Sequence, residues 1–205
     1  MIKKLFAKCC RTILLIVCKL VTGVQARWYS PPCDAVTIYY ANHTSHLDGL
    51  VIWSSFPKKL RKLVHPVVAK DYWEKNSLKK FIAIEVFNSV LINRHTNTHE
   101  NPLQPLIATL EKQQSLILFP EGTRGNGEQI VDFKSGLYHL AKQFPHIHFV
   151  PVYLNNLNRV LPKGSKLVVP IICSAIFGSA ISPLHENETK ADFLLRAKQA
   201  LKDLI

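Results

Sequence analysis

Asn42-His43-Thr44-Ser45-His46-Leu47-Asp48 follows an apolar run over residues 35–41 and opens another over residues 49–53. A strand that feeds a helix leaves side chains and backbone N–H groups exposed at the junction, and there His43 and Asp48 can face one another across the first helical turn. A histidine works as a general base near neutral pH when an acceptor holds its second ring nitrogen, because this fixes the tautomer and steadies the imidazolium that forms. Asp48 is spaced to be that acceptor. The same residues also suit a capping arrangement, with Ser45 or Asn42 as the N-cap and Asp48 near a helix N-terminus. Spacing alone leaves both readings open.

Outward from this stretch, the 205-residue chain has the length of one ordinary domain with a proper core. Its 26 Lys and Arg against 14 Asp and Glu give a net charge of +12, which implies an anionic partner: nucleic acid, an anionic lipid surface or phosphorylated substrates. The position of the charge chooses among them. Residues 1–30 carry six cations (Lys3, Lys4, Lys8, Arg11, Lys19, Arg27) and no acidic residue, interleaved with strongly apolar side chains. That mixture favours a membrane. Residues 2–26 read as one helix, yet Lys8, Arg11 and Lys19 leave no window of the roughly 20 apolar residues needed to span a bilayer. The spacing predicts an interfacial helix over residues 1–28, with cations at the headgroups and Trp28 and Tyr29 as amphipathic anchors. Lys19 and the absence of a small-x-small site before Trp28 argue against a cleaved signal peptide. The five cysteines (Cys9, Cys10, Cys18, Cys33, Cys173) show no paired spacing and read as reduced thiols in a protein facing the cytosol.

After Pro31-Pro32 the chain alternates apolar runs with amphipathic ones, as an α/β domain does. Strands are predicted at residues 36–40, 64–69, 89–93, 116–119, 148–153 and 166–174. Helices are predicted at 47–55, 71–83, 102–113, 134–144 and 190–204, the last capped by Thr189. The expected architecture is a mixed, mostly parallel sheet flanked by helices, with residues 29–205 as the catalytic domain. Residues 58–80 add eight cations against Asp71 and Glu74, a face suited to anionic lipid or to a polyanionic partner.

A second polar cluster follows the predicted strand 116–119: Pro120-Glu121-Gly122-Thr123-Arg124-Gly125-Asn126-Gly127. Its glycines let backbone N–H groups approach a ligand, and Arg124 offers a planar fork suited to phosphate. In an open α/β sheet, ligands bind beyond the carboxyl ends of strands, where both clusters would lie. Arg94, ending the predicted strand 89–93, and Lys134, opening the helix after the glycine loop, add cations at similar places.

With these residues assembled, the sequence resembles the glycerolipid acyltransferase family, best known for lysophosphatidate acyltransferases. The family's Asn-His-x-Ser-x-x-Asp motif stands complete at residues 42–48, Phe-Pro-Glu-Gly-Thr-Arg at 119–124, Phe-Lys-x-Gly at 133–136 and Val-Pro-Val at 150–152. A Phe-Ile-Asp-Arg-like element appears as Leu91-Ile92-Asn93-Arg94. The resemblance implies that His43 deprotonates a glycerol hydroxyl, with Asp48 orienting it, and that the alkoxide-like oxygen attacks an acyl thioester. Arg94, Arg124 and Lys134 would hold the acceptor phosphate in a pocket shaped by Glu121, Gly122 and Thr123, with Asn42 and Ser45 supporting the motif. The implied acceptor is 1-acylglycerol 3-phosphate, giving phosphatidic acid; another lysophospholipid or glycerol 3-phosphate is the alternative, since Asn93 and Gly125-Asn126-Gly127 depart from the usual pattern. The donor would be acyl-CoA or an acyl-carrier-protein thioester, with no cofactor, and the enzyme would sit on the membrane with its active site facing the cytosol.

Two other classes compete. His43, His46 and Asp48 also read as His-x-x-His-x-Asp, a superficial metal-ligand spacing, but the second cluster is cationic where a metal site wants carboxylates. Nucleic-acid binding would interleave aromatic and basic residues on a recognisable module, and no such pattern occurs.

Overall fold

Every residue of the strand Thr37–Ala41 is buried, which explains why Thr-Ile-Tyr-Tyr-Ala reads as an unbroken apolar run rather than an alternating one. Ile38 and Tyr40 point into one layer of core and Tyr39 and Ala41 into another, so helices must cover both faces of the sheet. The computed structural model describes residues 2–32, 34–93, 101–160, 169 and 171–205. In chain order its elements are α1 (Ile2–Thr22), β1 (Gln25–Trp28), β2 (Thr37–Ala41), α2 (Asp48–Ser55), β3 (Val64–Ala69), α3 (Lys70–Trp73), α4 (Ser77–Phe81), a π-helical turn (Ile82–Val86), β4 (Val90–Ile92), α5 (Gln104–Glu111), β5 (Ser115–Leu118), α6 (Gly136–Gln143), β6 (His148–Asn155), α7 (Leu157–Val160), β7 (Ser174–Phe177) and α8 (Lys190–Lys202).

The sheet order is β1-β7-β6-β2-β5-β3-β4. All neighbours are parallel except β6 and β7, so β1 and β7 run against the other five. One core layer joins α5, α6 and α8 to the sheet, and Tyr40 donates its hydroxyl to the Ala197 carbonyl of α8 at 3.1 Å. The other layer joins α1, α2 and α7 through Cys18, Val51, Ile52, Trp53 and Leu157. β2 lies between β5 and β6, so the carboxyl ends of β2 and β5 stand side by side and deliver residues 42–48 and 119–124 to one edge.

The mixed, mostly parallel sheet flanked by helices is as expected; several boundaries are not. The N-terminal helix stops at Thr22, four residues short of the expected 26, because Gly23 adopts φ +51° and returns its N–H to the Lys19 carbonyl. Residues 25–28, expected in the membrane-associated segment, form β1 instead and pair in register with β7. Trp28 is therefore no headgroup anchor: its ring stacks on Phe177 at 3.6 Å and meets Phe56 edge-on at 5.3 Å, whereas Tyr29 is exposed. The helix expected over 71–83 is broken, since the Asn76 side chain accepts from the Lys79 N–H at 2.8 Å and starts α4 afresh. The strand expected over 166–174 falls partly outside the described residues, and β7 begins only at Ser174, where pairing with both β1 and β6 sets its register.

The inner face of α1 is held by charge as well as packing. Arg11 donates to the Val86 and Glu85 carbonyls at 2.7 and 3.1 Å, ending the π-helical turn, and Lys3 pairs with the Glu85 carboxylate at 2.8 Å. Arg61 does the same for α2, donating to the Phe56 carbonyl at 2.7 Å. Cations at helix C-termini are favourable, and here both guanidiniums also flank the Trp53 ring.

His65 on β3 is buried, donating from Nδ1 to the Asn88 carbonyl at 2.7 Å while Nε2 has no partner among the described residues. Burial pushes its pKa down, the Asn88 bond opposing only in part. The unfolded chain therefore binds a proton more readily than the folded one. The His65 contribution is present above about pH 6.5 and is lost as pH falls through the lower folded value. Urea unfolding at stepped pH should show stability falling in mild acid, and His65→Gln should flatten that fall; an unchanged acid limb in the variant would remove His65 as its cause.

Candidate active site

The chain leaves β2 at Ala41, and Asn42 extends the strand's grip on β6: its side-chain amide donates to the Leu154 carbonyl at 3.0 Å and accepts the Leu154 N–H at 2.8 Å. Asn42 is thus a structural brace, not a cap. His43 follows, with Nδ1 lying 2.8 Å from Asp48 Oδ2. That same oxygen accepts the backbone N–H groups of Thr44 at 2.6 Å and Ser45 at 2.9 Å. Oδ2 is committed as an acceptor, so the proton between the two side chains sits on Nδ1, and Nε2 is left with its lone pair. The Ser45 hydroxyl accepts the Leu47 N–H at 3.3 Å in a local turn, and α2 starts without a side-chain cap. The capping alternative therefore gives way: Asp48 turns back onto the loop before the helix and onto His43.

Asp48 is fully buried, and its Oδ1 has no hydrogen-bond partner among the described residues. An orphaned carboxylate oxygen is costly, and such costs are typically retained where a side chain orients a reacting group. The imidazole itself is about one-fifth exposed and stacks on the Phe119 ring at 4.2 Å. The sequence shows Phe119 only as a motif letter; the fold places its ring beneath the His43 imidazole.

The second cluster holds the first by its main chain. Glu121 Oε1 accepts the His43 backbone N–H at 2.8 Å, Oε2 accepts the Val131 N–H at 3.2 Å, and the Gly125 N–H donates to the His43 carbonyl at 2.8 Å. Glu121 is almost fully buried, and burial raises its pKa above the usual carboxylate range, the two backbone donors pulling the other way. Gly122 turns with φ +73°, and a Cβ there would sit 3.3 Å from Lys134 Cγ, so the glycine lets the Lys134 stem lie across the loop. Lys134 and Thr123 are exposed. Burial lowers the His46 pKa, and the charge of Arg124 adds to that shift. Arg94, the remaining expected phosphate ligand, lies outside the described residues.

His46 shares no ligand set with His43. Its ring stacks on Tyr72 at 5.3 Å, with Lys79 Nζ 3.9 Å from the Tyr72 ring centre. Among the described residues no group of three or more His, Cys, Asp or Glu side chains is disposed to hold a metal ion. The arrangement can accept a proton at His43 Nε2 beside a rim of cations, the disposition required to activate a hydroxyl on an anionic molecule.

Comparison with known proteins places the chain in a family. The model of the acyltransferase family matches residues 27–155, more than half of the chain. The 1-acyl-sn-glycerol-3-phosphate acyltransferase of Limnanthes alba is 29% identical over 161 residues, 76% of this chain and 52% of that protein. A probable 1-acyl-sn-glycerol-3-phosphate acyltransferase of Mycoplasma pneumoniae is 31% identical over 157 residues, 72% of this chain and 53% of that protein. This chain thus spans about half the length of the curated relatives it matches. In fold it is similar to the crystal structure of the 1-acyl-sn-glycerophosphate (LPA) acyltransferase PlsC of Thermotoga maritima, with TM-score 0.70 and 18% identity over 96% of this chain and 78% of that one.

Replacing Glu121 tests the joint between the two clusters. Glu121→Ala should leave two backbone N–H groups unpaired at a cost of about 1–3 kcal/mol each, lowering the urea midpoint, while Glu121→Gln should cost less because it retains one acceptor. Equal stability of all three proteins would mean that the loop is held by other contacts.

Proposed function

The chain belongs to the acyltransferase family, and from that premise we propose that it moves a fatty acyl group from a thioester donor to the hydroxyl of a lysophospholipid, 1-acylglycerol 3-phosphate above all. The observation that carries this reading is the His43–Asp48 pair at 2.8 Å, held by Glu121 and Gly125 of the second cluster. The relatives' names support the acceptor. The donor is a coenzyme A or carrier-protein thioester, and no further cofactor is required.

In this reading His43 Nε2 takes the proton from the acceptor hydroxyl as its oxygen attacks the thioester carbonyl carbon. The C–S bond breaks as the tetrahedral intermediate collapses, and the departing thiolate receives the proton from the imidazolium. An ester and a free thiol result, with no acyl-enzyme. Asp48 keeps Nδ1 protonated and the ring in place throughout. Arg124, with Arg94 and Lys134, holds the acceptor phosphate so that the hydroxyl stands against His43; such positioning lowers the barrier by several kcal/mol.

The enzyme works on the membrane, its site open to the cytosolic face. Among the described residues no helix is long and apolar enough to cross a bilayer. α1 nonetheless presents Ile2, Leu5, Phe6, Ile13, Ile16, Val17 and Leu20 as exposed apolar side chains. Their spacing of three and four residues puts them on one side of the helix, opposite the buried Ala7 and Cys18. That stripe suits the acyl boundary of a bilayer.

His43→Ala should abolish acyl transfer with the fold intact, and Asp48→Asn should lower kcat by orders of magnitude through loss of the imidazole's orientation. Mass spectrometry of products from a panel of lysolipids and both donor types reads the result; near-normal turnover by His43→Ala would end the mechanism. Arg124→Ala should raise KM for the phosphate-bearing acceptor far more than for the donor, with Lys a poor replacement because it lacks the bidentate fork. Equal rises in both constants would remove Arg124 from the acceptor site.

A further inference from the structure

α4 and the π-helical turn lie between the apolar stripe of α1 and the mouth of the site. The Phe81 ring packs on Phe6 of α1 at 5.7 Å, which joins the stripe to α4. Beyond this joint Leu78 is 68% exposed and Ile84 36% exposed, large apolar side chains that the core leaves in solvent. The other end of α4 leads to the site: Lys79 sits on the Tyr72 ring, Tyr72 stacks on His46, and His46 is three residues from the proposed base.

The charge around α4 is one-sided. The carboxylates of Glu85 and Glu74 are matched by Lys3 at 2.8 Å and Lys80 at 2.9 Å, and with Asp71 also counted, Lys70, Lys75 and Lys79 leave an excess of positive charge. Exposed leucine and isoleucine ringed by lysine complement an anionic bilayer, with apolar side chains in the acyl boundary and ammonium groups at the phosphates. A protein partner would be expected to meet a more mixed rim. The continuity with α1 also puts both elements on one surface.

We propose that α4 and its π-helical turn are a second bilayer contact, through which Leu78 and Ile84 enter a membrane containing anionic phospholipid and bring the His43 mouth to the lipid surface. The bilayer contact stands on exposure and charge; only its consequence for turnover rests on the acyltransfer reading. A lipid acceptor then reaches His43 by moving along the membrane surface past Lys79 and His46, its acyl chain scarcely leaving the bilayer.

Full-length protein and phosphatidylcholine vesicles doped with phosphatidylglycerol provide the test. Leu78→Gln should weaken vesicle binding roughly tenfold, the burial of one leucine side chain being lost. It should raise the apparent KM for long-chain lysophosphatidate in vesicles and leave turnover of a short-chain, water-soluble acceptor at the wild-type value. In Leu78→Trp, the added tryptophan emission should shift to the blue on vesicle binding and be quenched by brominated acyl chains. Unchanged vesicle affinity in Leu78→Gln, an added emission in Leu78→Trp that stays solvent-like, or equal affinity for vesicles of phosphatidylcholine alone would each overturn the proposal. So would loss of short-chain turnover in Leu78→Gln, which would put Leu78 in the fold or the chemistry. Absence of acyl transfer by the unaltered protein would strike the functional reading instead, and the vesicle measurements would still decide the bilayer contact.

Discussion

The hydrogen bond from the His43 backbone N–H to the buried carboxylate of Glu121, 2.8 Å long, is the contact on which the site depends. It joins loops 78 residues apart in the chain, and the return bond from the Gly125 N–H to the His43 carbonyl makes the joint two-sided. A base held only by its own loop would share that loop's motion. Pinned on both sides of its peptide, and with Phe119 under its ring, His43 is held in one position with one edge of the ring exposed. The two loops meet because β2 and β5 are neighbours and parallel, so that both chains leave the sheet at the same edge.

The buried charges are arranged so that each has a defined task. Asp48 faces three donors on a single oxygen, which holds the tautomer of His43, and Glu121 holds two main-chain donors from different loops. Two acidic side chains in the interior are costly to desolvate, and the donors that offset the cost come from the backbone and His43, while Asp48 Oδ1 has no partner among the described residues. The cations stand at the mouth: Arg124 within electrostatic reach of His46, Lys134 across Gly122, and Lys79 on Tyr72. Carboxylates inside and cations outside is a polarity that suits an anionic ligand.

α1 shows how one helix serves both the core and a surface. Its inner face contributes Ala7, Cys18 and Thr22 to the interior, and Arg11 closes the open carbonyls at the end of the π-helical turn. Its outer face remains apolar. β1 then follows directly and pairs with β7, so the segment cannot be detached as an appendage: Trp28 is packed between Phe56 and Phe177. The helix is thereby held rigidly to the sheet whose edge carries the site.

The sequence by itself determined several local elements and marked the two polar clusters as candidates. Largely apolar runs placed β2, β3 and β5 within a residue of their observed bounds, because strands buried on both faces show little polar alternation. Thr189 correctly marked the start of α8, its hydroxyl accepting the Asp192 N–H, because a cap is a contact between near neighbours. The spacing of His43 and Asp48 allowed a base with its orienter but equally a cap. Only the tertiary structure shows which contacts form, since these turn on where the Asp48 carboxylate points and on what Asn42 binds 112 residues away. It alone also decided that residues 25–28 are a strand, because their pairing partners lie 149 residues away and leave no local periodicity to read, and that β7 runs against β6. The same limit hid the brace role of Glu121: a carboxylate in a glycine loop looks like a ligand until the fold brings a distant backbone N–H against it, and hydrogen bonds between distant segments are settled by topology rather than by neighbouring residues.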